Sequence, residues 1–480
     1  MQDPTWLSRA QRLADALAAQ GDLRSPHWRR ALEDTPRHLF LPSYFLAQEG
    51  VPTPWLRRTE DDGEAWLGPV YTDRALVTRF QDGGTPQRDG TVTGVPTCSS
   101  SPPGLTLRML ELLDIRPTDD VLDIGTGTGY QAALIAHRLA DPYQLVTADI
   151  EPELTAQAHR ALADLGHQPQ LVTTDATSHA WPRTFDRVIV SCALPRVGET
   201  LRAAVRPGGR VVVNLFPPLN HTLVTLDRRP DGSLHGRFHP DGGSFMPARH
   251  HTRTRPPAAP RVGWRGGRAA VPLEAFDDPR FLFLLAAHLP GARLQCESDG
   301  ALTLRELVLP DGAWAEGVYA DGRPGRFHEG GERGIWGSVE RWWAWYTERG
   351  RPAWDRFGLT VTAEGDHRLW YGDPRRARGL GPAHGLSVTG AGQGTAKGHG
   401  HTGHGTHGTR EGNPGRTRRT QGLRPPGATE GPGSGPGLRA PACAPSPTGA
   451  HSAVAVRGPG MRDYAWGRKS SRNSSVSIPS

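Results

Sequence analysis

The sequence VLDIGTGTGY, residues 121–130, has the pattern of a buried strand, a glycine turn and the start of a helix. The apolar run Val121–Ile124 is typical of a parallel strand that is buried on both faces. Gly125, Gly127 and Gly129 carry no side chain, so a ligand can approach the main chain closely. The unpaired N–H groups at the start of a helix can then bind an anionic group of that ligand. This stretch therefore predicts a nucleotide-like ligand, although a glycine turn alone also fits ordinary turn chemistry.

The spacing of the glycines separates two classes of ligand. A dinucleotide fingerprint has the spacing G-x-G-x-x-G, and Tyr130 stands at its sixth position, which argues against an oxidoreductase. The observed G-x-G-x-G follows a strand that carries Asp123, and it resembles the S-adenosylmethionine loop of class I methyltransferases. The resemblance implies S-adenosyl-L-methionine as the cofactor. The residues expected to bind it in this loop are Asp123, Gly125, Thr126, Gly127, Gly129 and Tyr130.

Two later strands are also predicted to end in acids. The strand over residues 145–149 ends about 20 residues past the loop, where related folds place a carboxylate against ribose hydroxyls, so Asp149 is the predicted ribose ligand. The strand over residues 171–175 ends in Asp175, which corresponds by resemblance to the acid near the adenine amino group in related methyltransferases. Strand-end acids can instead cap the next helix, and this alternative stays open for both residues and for Asp123.

Motifs upstream of the loop make the resemblance more specific. Residues 36–42, PRHLFLP, match a PR-x-x-F-x-P element, and residues 71–73, YTD, match a Y-x-D segment. Ser101 and Pro103 fall on the serine and proline of a T-I-S-x-P motif that precedes a helix. These ordered motifs, which cover roughly residues 30–215 together with the loop, are similar to those of the protein-L-isoaspartate O-methyltransferases.

The resemblance implies a fold and a reaction. The fold is a doubly wound, Rossmann-like α/β methyltransferase sheet with a helical N-terminal prelude. The reaction is methylation of an aspartyl or isoaspartyl carboxylate of a peptide or protein, giving a methyl ester that can close to a succinimide. An unperturbed Asp has a pKa of about 3.9, so no general base is needed and the site has only to align the reactants. Ser101 is expected to hydrogen-bond the acceptor carboxylate; the alternative is that Ser99–Ser101 caps the helix beginning near Pro103.

Composition divides the chain into segments. Within the first, residues 219–246 predict a hairpin around Pro230-Asp231-Gly232. The last is expected to be disordered, because it lacks the apolar periodicity that offsets ordering entropy. The expected segments are a catalytic domain over 1–248, a linker over 249–268, a small α+β accessory domain over 269–380, and a Gly/Pro/Arg/His-rich tail over 381–480.

The accessory segment affects the choice of substrate. A helix around residues 339–346 is rich in Trp and Tyr, which indicates either core packing or a groove for an extended peptide. Residues 351–361 resemble extensions of actinobacterial relatives that modify ribosomally made peptides. The favoured hypothesis is therefore tailoring of a precursor peptide at a chosen Asp. The alternative is general repair of isoaspartyl proteins, which needs little beyond the catalytic domain.

The net positive charge of the chain is concentrated in the tail. Residues 381–480 hold twelve Lys and Arg against three Asp and Glu, a net charge of +9; the whole chain carries +7, so residues 1–380 carry −2. Nucleic-acid binding is therefore expected only nonspecifically through the tail, and a non-catalytic nucleotide- or nucleic-acid-binding protein is the remote alternative.

Neither a membrane span nor a metal site is predicted. No stretch approaches the roughly 20 apolar residues that cross a bilayer, and the N-terminus has an amphipathic pattern, so we expect a soluble, cytoplasmic protein. The cysteines show no C-x-x-C spacing. The tail histidines lack carboxylate or thiolate partners, so no metal is assigned to His399, His401, His404 and His407.

Overall fold

A computed structural model describes residues 5–50, 52–249, 265–298 and 302–373 of the chain. The helices are α1 Thr5–Gln20, α2 Pro26–Asp34, α3 Glu64–Val70, α4 Pro103–Leu113, α5 Tyr130–Arg138, α6 Pro152–Asp164, α7 Glu199–Ala204, α8 Pro279–His288 and α9 Trp336–Glu348. The strands are β1 Ser43–Ala47, β2 Trp55–Thr59, β3 Leu76–Phe80, β4 Thr85–Pro86, β5 Val92–Thr93, β6 Pro96–Ser100, β7 Val121–Ile124, β8 Leu145–Asp149, β9 Gln170–Thr173, β10 Phe185–Leu194, β11 Val205–Leu215, β12 Thr222–Arg228, β13 Leu234–Gly242, β14 Arg265–Arg268, β15 Arg293–Ser298, β16 Leu302–Val308, β17 Trp314–Ala320, β18 Arg323–Gly330, β19 Phe357–Val361 and β20 His367–Tyr371. The predicted tail, with its four histidines, lies outside the described residues.

A nine-stranded sheet forms the centre, in the order β20-β19-β13-β12-β11-β10-β7-β8-β9. Strands β9, β8, β7, β10 and β11 are parallel, whereas β12 and β13 form the predicted antiparallel hairpin. The chain winds from β7 to β8 and β9, and then crosses to β10 on the other side of β7. Ligands of such sheets bind at the carboxyl ends of the strands where the winding reverses. The prediction of a doubly wound α/β sheet is confirmed.

A second, antiparallel sheet precedes the glycine loop and was absent from the sequence prediction. Its order is β4-β5-β2-β1-β3-β6, and β6 at its edge leads directly into α4. Its strands are two to five residues long, and three of its five pairings join strands that are not consecutive in the chain, as β3 does with β6. Strands this short have little room for the alternating pattern that marks a strand in a sequence.

The C-terminal segment differs from the predicted separate domain. Strand β14 begins inside the predicted linker over 249–268, whose residues 250–264 lie outside the described part, and β14 pairs with β18. Strands β19 and β20 extend the central sheet, with Gly236 of β13 opposite Leu359 of β19. This pairing satisfies main-chain groups that an edge strand at β13 would leave open. The boundaries drawn from composition therefore do not follow the sheets.

The remaining C-terminal elements pack on this extension. Helix α8 lies against it, with the ring of Phe283 4.7 Å from that of Phe238 and 5.3 Å from that of Phe357. On the aromatic helix α9, Trp336 and Tyr346 are buried, which is core packing, and its other three tryptophans are half-buried. Among the described residues, no helix has the length and apolarity that crossing a membrane requires.

Candidate active site

The glycine loop connects β7 to α5 and lines a cavity of about 470 Å³ at the carboxyl end of the sheet. Gly125 and Gly129 have positive φ of 98° and 91°. A Cβ atom on Gly125 would lie 2.5 Å from Ser191 Oγ, and one on Gly129 would lie 2.8 Å from Ala158 Cβ. These two glycines therefore let the loop pack closely on β10 and α6. Gly129 does not line the cavity itself, whereas Gly125, Thr126, Gly127 and Tyr130 do.

Asp149 lies beside the loop, at the end of β8. Its Oδ2 accepts a hydrogen bond from the Gly127 N–H at 2.9 Å, and its Oδ1 accepts one from the Glu151 N–H at 3.1 Å. Its side chain lines the cavity and is largely buried. Asp149 therefore holds the turn before α6 without capping the helix, whose N-cap residue is Glu151, and its role as a ribose ligand stays a prediction.

Asp123 lies beneath the loop and not on the cavity wall. It is fully buried, and it accepts hydrogen bonds from Gln131 Nε2 at 2.7 Å and from Thr147 Oγ1 at 2.8 Å. Burial raises the pKa of Asp123 to about 6. The expected direct contact with a cofactor is therefore replaced by a supporting role, since both carboxylate oxygens are engaged and it is Gln131 that lines the cavity.

Asp175 lines the cavity beyond the end of β9, and both of its oxygens are used within its own turn. Oδ1 accepts from the Thr177 N–H at 3.0 Å and from Thr177 Oγ1 at 2.7 Å, and Oδ2 accepts from Ser178 Oγ at 2.9 Å. Carboxylate oxygens have further lone pairs, so a ligand contact is compatible with this turn.

Two carboxylates, those of Asp149 and Asp175, line the donor-loop side of the cavity, and a third, that of Asp123, lies beneath it. Burial and, to a smaller extent, the charges of Asp149, Asp175 and Asp123 together raise the pKa of the Cys192 thiol to about 12. These features fit S-adenosyl-L-methionine: carboxylates that can accept from nucleoside hydroxyl and amino groups, a loop that allows close approach, and a negative environment for a positively charged sulfur.

Ser101 lies where β6 passes into α4. Ser101 lines the cavity, whereas the neighbouring Ser100 is buried and its Oγ accepts a hydrogen bond from Arg37 at 3.1 Å. The first turn of α4 is capped by Asp73, whose Oδ1 accepts from the Gly104 N–H at 2.7 Å. The N-cap residue of α4 is Pro102, without a side-chain cap. The alternative of a serine cap is therefore wrong, and the role of Ser101 toward an acceptor carboxylate stays a prediction.

Comparison with known proteins agrees with this geometry. A model of the protein-L-isoaspartate (D-aspartate) O-methyltransferase family matches residues 72–248. Protein-L-isoaspartate O-methyltransferase 1 of Anaeromyxobacter sp. is 32% identical over 232 residues, which cover 47% of this chain and 89% of that protein. The chain belongs to the protein-L-isoaspartate O-methyltransferase family. It is an S-adenosyl-L-methionine-dependent methyltransferase.

Other similar proteins carry the same name. The protein-L-isoaspartate O-methyltransferase of Methanopyrus kandleri is 28% identical over 248 residues, covering 51% of this methyltransferase and 93% of its own length. A solved protein-L-isoaspartate O-methyltransferase structure matches 75% of this chain and 98% of its own, with 19% identity and a TM-score of 0.42. A Plasmodium falciparum structure described as a complex with S-adenosyl-L-homocysteine matches 49% and 96%, with 12% identity and a TM-score of 0.36.

One part of the methyltransferase site was missed by sequence reasoning. Residues 243–249, here called the strap, cross the carboxyl end of β10: the Ala193 N–H donates to Met246 O, and the Ala248 N–H donates to Ala193 O, both at 2.9 Å. Residues 244–249 of the strap line the cavity. At the end of the strap, Arg249 pairs with Glu151, and its Nη2 lies 3.7 Å from Asp149 Oδ1. The strap has no glycine or acid pattern that marks it in the sequence, and its partner strand is some fifty residues earlier in the chain.

Proposed function

We propose that this methyltransferase esterifies the side-chain carboxylate of an isoaspartyl residue in a peptide or protein. The observation that carries the proposal is that Ser101 and Asp149 lie on the wall of one cavity, with the donor loop beside Asp149. The similar proteins named above are protein-L-isoaspartate O-methyltransferases, and their names supply the acceptor class.

The residues of the cavity suit this reaction. S-adenosyl-L-methionine, when bound, supplies an electrophilic methyl group that a carboxylate can take up in one displacement. The acceptor is already ionised at neutral pH, so the protein needs no strong base. Ser101 donates a neutral hydrogen bond that orients the carboxylate without holding it as tightly as a cation. Alignment of this kind can remove roughly 7–11 kcal/mol of a barrier.

Tailoring of a precursor peptide, the hypothesis favoured by the sequence, has less support than repair. It depended on the additional C-terminal segment as a substrate-binding unit. Strands β19 and β20 of that segment complete the central sheet, which gives the segment a role in stability. The comparisons support the repair alternative, and tailoring stays a prediction.

A paired-peptide experiment tests the proposal. The full chain is incubated with S-adenosyl-L-methionine and two peptides of identical sequence, one with Asp and one with isoAsp, and mass spectrometry detects one added methyl followed by loss of methanol. We expect turnover of many unrelated isoAsp peptides and none of their Asp counterparts. Inactivity on every isoAsp peptide would refute the proposal. Inactivity on isoAsp together with methylation of a peptide encoded beside this gene would establish tailoring instead.

A further inference from the structure

Arg37 is a fully buried cation on the acceptor side of the cavity. It is the first residue of a short 3₁₀ helix, Arg37–Phe40, and its side chain is among the largest that are completely buried. Burial lowers the pKa of Arg37 to about 10, so the guanidinium still carries its charge at neutral pH.

The hydrogen bonds of Arg37 all end on two segments of chain. One is the segment over residues 70–74, which leads into β3, and the other is the end of β6 with Ser101. The oxygens that accept from the guanidinium are Val70 O at 2.8 Å, Thr72 O at 3.3 Å, Arg74 O at 3.3 Å, Ser100 O at 3.4 Å, Ser100 Oγ at 3.1 Å and Ser101 O at 2.9 Å. These acceptors are carbonyls and one hydroxyl, so they carry no net charge.

Arg37 also reaches the donor loop. Its guanidinium carbon lies 5.6 Å from the centroid of the Tyr130 ring, and Tyr130 is the first residue of α5. The Arg37 side chain therefore contacts three parts of the chain: the end of β6 with Ser101, the segment over residues 70–74 that includes Asp73, and the helix that follows the donor loop.

We infer that Arg37 is a positioning residue for the acceptor side, which holds the main chain of Ser100 and Ser101 so that the Ser101 hydroxyl faces the donor. The expected effect of Arg37 on turnover rests on the proposed function. Its expected effect on the main chain of Ser100 and Ser101 does not. Arg37 acts through Ser101 and does not itself line the cavity.

The geometry explains why an arginine is needed at this position. A guanidinium presents five donors in a fixed plane, so two segments can be held at a defined separation. A lysine keeps the charge but has one compact ammonium group on a flexible stem, and it cannot span both sets of carbonyls. A buried cation is costly unless it is well hydrogen-bonded, so the carbonyl contacts of Arg37 have to be maintained.

The structural part of the inference is tested by amide hydrogen exchange on the full chain, without any acceptor. The variants are Arg37→Lys and Arg37→Ala, with Arg187→Ala as the matched control. Arg187 is another largely buried arginine, bound to Asp119 and to Asp114 O near the start of β10, whereas the cavity lies at the carboxyl end of that strand. We expect exchange over residues 70–75 and 99–104 to become about tenfold faster in both Arg37 variants and to stay unchanged in the control. Unchanged exchange in Arg37→Lys, or the same change in the control, would overturn the inference. If Arg37→Ala fails to fold, Arg37→Lys alone decides.

The kinetic part uses the isoAsp peptide and S-adenosyl-L-homocysteine. We expect kcat of Arg37→Lys to fall about 100-fold, since a displacement of the order of 1 Å is enough for such a loss. The affinity for S-adenosyl-L-homocysteine should stay within about threefold by calorimetry, because Arg37 does not line the cavity and reaches the donor side only through its contact with the Tyr130 ring. Added guanidinium ion should partly restore Arg37→Ala, and equal concentrations of ammonium should not.

The combination with Ser101→Ala distinguishes positioning from a general loss of packing. If Arg37 acts through Ser101, the double variant Arg37→Lys/Ser101→Ala should lose little more activity than the worse of the two single variants. Fully additive losses would contradict that route. A wild-type protein that methylates no isoAsp peptide would refute the proposed function, whereas the exchange experiment would still decide the role of Arg37.

Discussion

The donor side and the acceptor side of the cavity are built in different ways. The donor side comes from β7, β8 and β9, which follow one another along the chain, and each predicted ligand stands at or just after a strand end. The acceptor side brings together the turn at Arg37 and the end of β6 with Ser101, which are 64 residues apart in sequence. A site made from consecutive strand ends leaves a local pattern in the sequence, whereas a site made by long-range pairing does not.

The two sides also differ in how their polar groups are satisfied. On the donor side, Asp149 accepts from the main chain of the loop that it serves, and Asp123 is held by Gln131 and Thr147 beneath it. On the acceptor side, one buried cation holds several carbonyls. We therefore expect substitutions on the donor side to change cofactor affinity, and substitutions on the acceptor side to change turnover at constant cofactor affinity.

The largest effect is expected for Asp149→Ala. The substitution removes the acceptor of the Gly127 N–H and of the proposed ribose hydroxyls, and each hydrogen bond to a charged group contributes about 1.5–3 kcal/mol, so cofactor affinity should fall about 100-fold or more. Isothermal titration calorimetry with S-adenosyl-L-homocysteine measures this affinity. Asp175→Ala is the control, with a smaller expected loss because that carboxylate serves its own turn. Equal losses in the two variants would contradict the assignment of Asp149.

Asp123→Asn should change the pH dependence of stability. The pKa of Asp123 is raised from 3.8 to about 6 in the folded protein. The stability that comes from the protonated carboxyl is therefore fully present below about pH 4 and is lost as the pH rises through about 6. An asparagine stays neutral at every pH. As the pH rises from about 4 to above 6, the free energy of unfolding of the variant should therefore increase relative to that of the wild type by up to about 3 kcal/mol. Urea unfolding at several pH values tests this, and a difference that does not vary with pH would show that the carboxylate is not penalised by burial.

Ser101→Ala should lower kcat/KM for the isoAsp peptide by about 30-fold, the value of one hydrogen bond to a charged acceptor. Cofactor affinity should not change, because the proposed partner of the Ser101 hydroxyl is the acceptor carboxylate. Ser99→Ala is the matched control, since Ser99 also lines the cavity, and its activity should stay within about threefold of wild type. Weaker cofactor binding in Ser101→Ala would contradict the assignment of Ser101 to the acceptor side.

The smallest effect is expected for Arg249→Ala. Arg249 shares Asp149 with the proposed ribose site through a partly exposed pair, and such pairs contribute about 0–1 kcal/mol, so its removal should tighten cofactor binding by about two- to fivefold. Arg79→Ala is the control, because Arg79 reaches Glu151 and Glu153 but not Asp149. Weaker binding in Arg249→Ala would show that the strap contributes a cofactor contact of its own.

The sequence by itself determined the central parallel sheet, the donor loop and the acids at its edge. Residues 121–130 encode these features locally, since glycines at a strand end and a carboxylate about 20 residues later have few other uses in such folds. The motif around Ser101 was also recognisable, because its serine and proline are neighbours in the chain.

Only the tertiary structure decided which of these residues face the cavity. It kept Asp123 and Gly129 off the cavity wall and made Asp73 the cap of α4. It also brought Arg37 to the end of β6, brought the strap to the cavity, and joined β19 and β20 to the central sheet. Each of these outcomes depends on a partner distant in sequence. A buried carboxylate, a buried cation or an open strand edge is stabilised only by the particular groups that folding brings beside it.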